Sequence, residues 1–291
     1  MKAFSEAYKY DFCLSTDNPL NVMYSISPAQ KSVSVPDMHY SLHLGILLDG
    51  SVNSLYENCQ IRQNTGDFWL TAPWEPHATG RIGKPLEIIL LTILPEKLGD
   101  IGFNPGINWL LPFIVPVTDR PCITSEAMRE KVIKLARKIN EERLRDNKYG
   151  KVNCWLKFHE LLLYIIDSSG FSQRPEIKIQ NAALERILPA IELARAITTE
   201  QVSLETAAKT CYLGKSRFSD LFKTAMGTSF GKFSKRVRIG AAAAEIAKNT
   251  LPVKDIAIKR GFYDESHFCR TFHQYFHCSP SEFRQGKNSA R

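Results

Sequence analysis

Three histidines and one run of polar residues carry the most specific chemistry in this chain. His39 and His43 are four apart, so on an extended strand they share a face, and with His77 they offer imidazoles to a metal or an organic effector. A full metal set is not visible, because position 41 is Ser and no Glu follows until Glu57, and affinity depends on complete ligation. Packed or effector-contacting histidines are therefore expected, with no metal and no cofactor. Trp69 and Trp74 are further candidates for lining an organic-ligand pocket, beside Tyr40 and Phe68. Toward the other end, Phe218, Leu221 and Phe222 fall at i, i+3 and i+4 on one helix face and leave Lys215, Ser216, Arg217, Ser219 and Asp220 outward. Short polar and basic side chains of this kind read base edges and hold phosphates. G-x-S-x-G, P-loop, H-E-x-x-H and G-x-G-x-x-G patterns are absent, so no catalytic residues are assigned and no enzyme is expected.

These residues sit in a chain of 291 residues, 44% apolar and 23% charged, which is long enough for two ordinary domains and excludes disordered and collagenous classes. No stretch approaches the 18 or so apolar residues of a membrane span, and the first residues lack a secretory pattern, so a cytoplasmic location is expected. Seven cysteines, scattered and never in a C-x-x-C pair, suit reduced thiols. The net charge of +8 is unevenly placed. Residues 182–291 carry 18 Lys/Arg against 10 Asp/Glu and so hold the whole excess, while residues 1–181 are balanced. A neutral module joined to a basic one points to a polyanion partner for the second.

The basic part repeats itself. Leu204, Ala207, Ala208 and Leu213 match Val253, Ile256, Ala257 and Phe262; Phe218, Phe222, Ser229 and Phe233 then match Phe268, Phe272, Ser279 and Phe283. Each unit reads as a short helix, a break and a second amphipathic helix, with Ala208 and Ala257 allowing close approach. Gly261 stands at the second break, and Ser279-Pro280-Ser281-Glu282 supplies a cap, a Pro at the first helical position and a returning Glu. These are two helix-turn-helix units, over about 203–224 and 253–276. Between them, Lys232 to Asn249 has no Pro and places Val237, Ala241, Ala244 and Ala247 or Lys248 on one face, which predicts a single connecting helix. Such a chain can set two recognition helices in adjacent major-groove turns.

From about Arg186 to Arg284 the sequence resembles the DNA-binding domain of the AraC/XylS transcription regulators. The resemblance rests on Asp255-Ile256-Ala257, Gly261 to Phe272 and Ser279 to Arg284, with Arg236 to Ile246 and Thr250 between the units. It implies that Ser216, Ser219 and Asp220 of the first unit and Glu265, Ser266, His267 and Arg270 of the second face base edges. Arg270 would make a bidentate contact to guanine; its competing role is a local ion pair with Glu265 or Asp264. Lys215, Arg217, Lys235, Arg236, Arg238, Lys254, Lys259 and Arg260 are phosphate candidates. His273 and His277 are expected to pack or cap. The first unit departs from the pattern, with Tyr212 where the family turns on Gly, Gly214 where a polar cap is common and Phe230 where Pro is common. A different seat for its recognition helix is the expectation.

In the neutral part, apolar runs broken at Asp49-Gly50, Pro73 and Pro95 read as an antiparallel barrel or sandwich. Two helices follow, one capped by Thr124 with Met128, Val132, Leu135 and Ile139 inward, the other with Val152, Trp155, Leu156, His159, Leu163 and Ile166 along its face. This arrangement, with Gly66-Asp67, Pro73 and Glu75-Pro76-His77, resembles the cupin-like sensor half of the same family, although Trp74 replaces the usual Gly. The expected fold class is α+β: a cupin-like β-barrel with two following helices over 1–170 for effector sensing and dimerisation, a polar linker over 171–182, and an all-α domain over 183–291. The resemblance implies a transcription activator whose partners are double-stranded DNA, RNA polymerase, a small-molecule effector and a second copy met through helices 124–167, with no membrane. Two alternatives stand beside it: a metal-dependent cupin enzyme with a DNA-targeting domain, and an effector-free architectural DNA binder.

Overall fold

Eight antiparallel strands build the first half: β1 (Leu20–Ser27), β2 (Lys31–Val33), β3 (Leu42–Asp49), β4 (Ser51–Tyr56), β5 (Gln60–Asn64), β6 (Phe68–Thr71), β7 (His77–Ile82) and β8 (Leu86–Ile93). The computed structural model describes residues 14–29, 31–33, 39, 41–57, 59–82, 85–102, 107–145, 147–196, 199–247, 251–276 and 278–285. Tyr40, Lys248, Thr250 and His277 lie outside the described residues. The strands form two sheets, ordered β1-β8-β3-β6 and β2-β7-β4-β5. The expected barrel does not close among the described residues, because no ladder joins the edge strands of one sheet to those of the other. The chain instead changes sheet at the short connections between β3 and β4 and between β5 and β6. A strand buried on both faces reads as a continuous apolar run, and β3 does so: Leu42, Leu44 and Ile46 join the main core, while Leu47 on the other face meets Val52 of β4 and Leu86.

Three helices cover the sandwich: α1 (Leu111–Ile114), α2 (Glu126–Arg143) and α3 (Lys148–Ser168). Met128, Val132, Leu135 and Ile139 of α2 are buried, as their spacing predicts. The cap is Ser125, whose hydroxyl accepts from Met128 N, one residue beyond the expected Thr124. On α3 the inward face is Cys154, Phe158, Leu161, Leu162, Ile165 and Ile166, with His159 also buried. Val152, Leu156 and Leu163, expected inward, are exposed and share a stripe with Tyr149. Periodicity alone could not choose between two apolar faces on one helix.

Helix α4 (Pro175–Ala196) begins inside the polar segment and buries Ile177, Leu184, Ile187 and Ile191. It carries the second half: α5 (Leu204–Thr210), α6 (Lys215–Met226), α7 (Phe230–Ala247), α8 (Val253–Lys259), α9 (Glu265–Phe276) and α10 (Pro280–Arg284). Ser203 caps α5, Asp264 caps α9 through His267 N at 2.6 Å, and Ser279 with Glu282 forms a reciprocal capping box on α10. The two turns are alike. Leu213 N donates to Ala208 O at 2.9 Å and Phe262 N to Ala257 O at 3.0 Å, with Tyr212 at φ 54° and Gly261 at φ 67° in matching places. The first unit thus keeps the family's turn despite Tyr212. Phe230, standing for the usual Pro, is buried against Phe218 and Phe222 at 5.5 and 5.3 Å between ring centroids.

Candidate nucleic-acid interface

Each recognition helix is anchored by an aromatic face that leaves its polar residues outside. Phe218 and Phe222 of α6 and Phe268, Phe272 and Phe276 of α9 are fully buried. On α6 this exposes Lys215, Ser216, Arg217 and Asp220, with Ser219 half-buried; on α9 it exposes Glu265, Ser266 and Arg270, with His267 half-buried. Arg270 forms no ion pair or hydrogen bond with another described residue, and Asp264, its suspected local partner, caps α9 instead. A guanidinium held on a helix and left open has the fork geometry that guanine O6 and N7 accept.

The basic residues divide by surroundings. Arg217, Lys254 and Lys215 are exposed, the last 3.6 Å from Glu205, and Lys235 is half-buried. Lys259 and Arg260 share Glu245, with Arg260 at 2.9 Å. Burial alone would raise the Glu245 carboxyl, but these two cations bring it below its ordinary value. Two phosphate candidates are corrected. Arg238 is 3% exposed, donates from Nη1 to the carbonyls of Gly261 (2.9 Å) and Arg260 (3.3 Å) and lies 5.0 Å from the Phe262 ring, so it braces the second turn. Burial also pushes its guanidinium below its ordinary value. Arg236 is taken by an ion pair with Glu57 of the sheet half.

In the sheet half the three histidines converge. His43 lies near the start of β3, His77 opens β7 in the other sheet, and His39 precedes β3. Their ligating nitrogens all lie within 4.8 Å of one another, and the His39 and His43 rings are 3.8 Å apart between centroids. Burial, with the neighbouring imidazoles, holds His39 and His43 well below the usual histidine range, which keeps them neutral. The tautomer of His77 follows from a backbone carbonyl, which only accepts: its Nδ1 donates to Glu75 O at 2.9 Å, while His39 Nδ1 lies 3.0 Å from both the carbonyl and the hydroxyl of Ser41. The Glu75 carboxylate is engaged elsewhere, with Arg120 at 2.7 Å and Ala72 N at 3.0 Å. Trp69 belongs to the same interior, its ring lying across Gly45 two residues along β3 from His43.

Trp74 does not line that interior. Its backbone N donates to His39 O at 2.7 Å, but its ring lies on Gly240 in the middle of α7, where a Cβ would sit 2.0 Å from Trp74 Cε3. Further contacts join the halves: Arg195 to Glu96 at 2.5 Å, Gln180 Nε2 to Asp119 at 2.9 Å, and Gly227 beside Pro116. One apolar cluster accordingly runs from Leu42 to Phe283. Gly240, Glu57 and the bracing role of Arg238 escape sequence reading. The one available signal is a glycine inside an alanine-rich helix, which marks a close approach without saying by what.

Two helix-turn-helix units carried on one continuous helix define a tandem helix-turn-helix domain. A family described as a helix-turn-helix domain matches residues 207–286. The chain is 31% identical over 111 residues to the HTH-type transcriptional activator AarP of Providencia stuartii, covering 38% of this chain and 80% of that protein. The chain belongs to the AraC/XylS family of helix-turn-helix transcription regulators. An uncharacterised HTH-type transcriptional regulator of Haemophilus influenzae is 32% identical over 82 residues, covering 28% of each chain. The matched stretch thus spans less than a third of that relative's length. The fold of both halves together is that of ToxT from Vibrio cholerae, with a TM-score of 0.59 at 11% identity, covering 93% of this chain and 100% of that one. A second ToxT structure, bound to an unsaturated fatty acid, has a TM-score of 0.53 at 13% identity, covering 91% and 95%. Among the described residues no helix is long and apolar enough to cross a membrane.

Proposed function

We propose that this chain is a sequence-specific, DNA-binding transcription activator acting in the cytoplasm, with no enzymatic activity. Its sensor half, about residues 1–170, responds to a small-molecule effector; residues 171–182 connect it to the DNA-binding half, 183–291. The observation that carries the reading is the paired presentation of α6 and α9 on α7, with Arg270 open on the second. Helix α7 has eighteen residues and extends about 27 Å, a large part of the roughly 34 Å between successive major-groove faces. A single chain then reads a direct site of about two helical turns, with some bending of the DNA. Base contacts fall to Ser216, Ser219, Asp220, Glu265, Ser266, His267 and Arg270, and phosphate contacts to Lys215, Arg217, Lys235, Lys254, Lys259 and Arg260. The exposed stripe of Tyr149, Val152, Leu156 and Leu163 on α3 meets the same stripe of a second copy, and RNA polymerase is the partner on bound DNA. That ToxT has been seen with a fatty acid supports an organic effector in this fold.

The test is selection of binding sites from random DNA with the purified chain, at about 0.15 M salt and again at higher salt, which weakens phosphate contacts more than base readout. A recovered motif spanning two turns supports the reading. Uniform, salt-sensitive retention of all sequences, with and without cell-extract metabolites, overturns it in favour of an architectural binder.

A further inference from the structure

We propose that His39, His43 and His77 form a binding site for one divalent transition-metal ion, with zinc as the type case. The ligating atoms come from both sheets and already lie within 4.8 Å of one another. Tetrahedral ligands about 2.1 Å from a common ion are about 3.4 Å apart, so the rings need to close by at most about 1.4 Å. Side-chain rotation supplies that.

The orientation of the rings favours ligation over simple packing. Metal-bound histidines present one nitrogen to the ion and donate the other N–H to a carbonyl or carboxylate, which fixes the tautomer. Here the Glu75 carbonyl takes the Nδ1 proton of His77 and so places its lone pair on Nε2, while His39 Nδ1 is engaged by the Ser41 carbonyl and hydroxyl, both at 3.0 Å, which leaves Nε2 as its ligating nitrogen. His43 is flanked in register by Thr71 of β6 and Thr92 of β8, both buried, and the Thr92 hydroxyl has no hydrogen-bond partner among the described residues. A polar floor stands where a sandwich interior normally holds aliphatic side chains.

The donor set selects the ion. Imidazole suits zinc, copper, iron and nickel, whereas calcium and magnesium need oxygen ligands. The Glu75 carboxylate is held by Arg120 and is not part of the set. Three neutral ligands leave a fourth position and the full charge of the ion, so the open site takes water, hydroxide or a small anion. This inference stands apart from DNA binding, since its readout is metal content.

The full-length chain, stripped with a chelator, is titrated with Zn²⁺ and separately with Co²⁺ while the visible spectrum is followed. One tight equivalent per chain, with cobalt bands of nitrogen ligation and no thiolate charge-transfer band, is the expected result. His43→Gln and His77→Gln each weaken binding at least 10-fold, as loss of even an outer partner of a ligand does. His77 is half-buried, so its variant remains the deciding one if His43→Gln fails to fold; circular dichroism checks both. Absence of a tight equivalent, binding unchanged in His77→Gln, or a thiolate band from the cysteines overturns the proposal.

Discussion

Tyr212 and Gly261 occupy the same place in the two helix-turn-helix units, both exposed and both with left-handed backbone, yet only the second has a neighbouring segment where a Cβ would stand. Tyr212 is 97% exposed; Gly261 is exposed as well, but a Cβ there would meet Thr199 O at 2.6 Å, and its carbonyl is held by Arg238. Left-handed backbone costs an L-residue about 1–2 kcal/mol, which an otherwise stable turn can absorb. A second segment of chain lying over the turn adds a steric term it cannot absorb. In this chain Gly261 is therefore required by the segment beside the turn more than by the turn itself. The units also differ in what they show to DNA: Ser216, Ser219 and Asp220 from one, and the longer Arg270 from the other.

Four sets of substitutions sharpen or break that contrast. Gly261→Ala combines a strained backbone with a clash and should cost about 3–5 kcal/mol in urea unfolding, against less than about 1 kcal/mol for Tyr212→Ala. Equal losses at the two turns would break the comparison. At the joint between the halves, Gly240→Ala should destabilise the protein by about 1–3 kcal/mol through overpacking against Trp74. In a Trp74→Ala background the sign should reverse to a gain of about 1 kcal/mol, the ordinary helix preference for Ala; the same sign in both backgrounds would rule out the Trp74 contact as the cause. Arg270→Ala should weaken binding to the selected site by about 1–3 kcal/mol and leave nonspecific binding largely intact, while Arg217→Ala should weaken all sequences alike and lower the salt slope by about 1. The smallest effect is Tyr212→Gly, which should change stability by less than about 1 kcal/mol in either direction, because relief of the left-handed strain is offset by the greater freedom of Gly in the unfolded chain. A large loss on thermal denaturation would mean that the Tyr212 ring carries an undetected contact.

The helix-turn-helix units were legible because their information is local: Phe218, Phe222, Phe268 and Phe272 repeat at helical spacing, and the Ser279 box lies within four residues. The extent of α7 followed from the same local propensities, and it differs by about two residues at each end. Its buried face did not follow. Ala244 is exposed and Ile239, Ala242, Ala243 and Ile246 are buried, because α7 is packed from several sides and a single stripe no longer describes it. The metal-ready convergence of His39, His43 and His77 was also out of reach. His39 and His43 were seen to share a face, but His77 joins them only because β7 lies in the opposite sheet, and sheet membership is set by long-range pairing that spacing does not encode. Arg236 and Arg238 looked like phosphate ligands for a related reason: composition gives their charge, and only tertiary contacts give Glu57 and the Gly261 carbonyl as their partners.

Trp74 has a consequence of its own. It sits at φ 59°, and a bulky residue persists in that region only while its neighbours hold it there. The neighbour is α7, with Gly240 making the room. The joint between the halves thus carries a local backbone cost of about 1–2 kcal/mol that the packing of the indole on Gly240 holds in place.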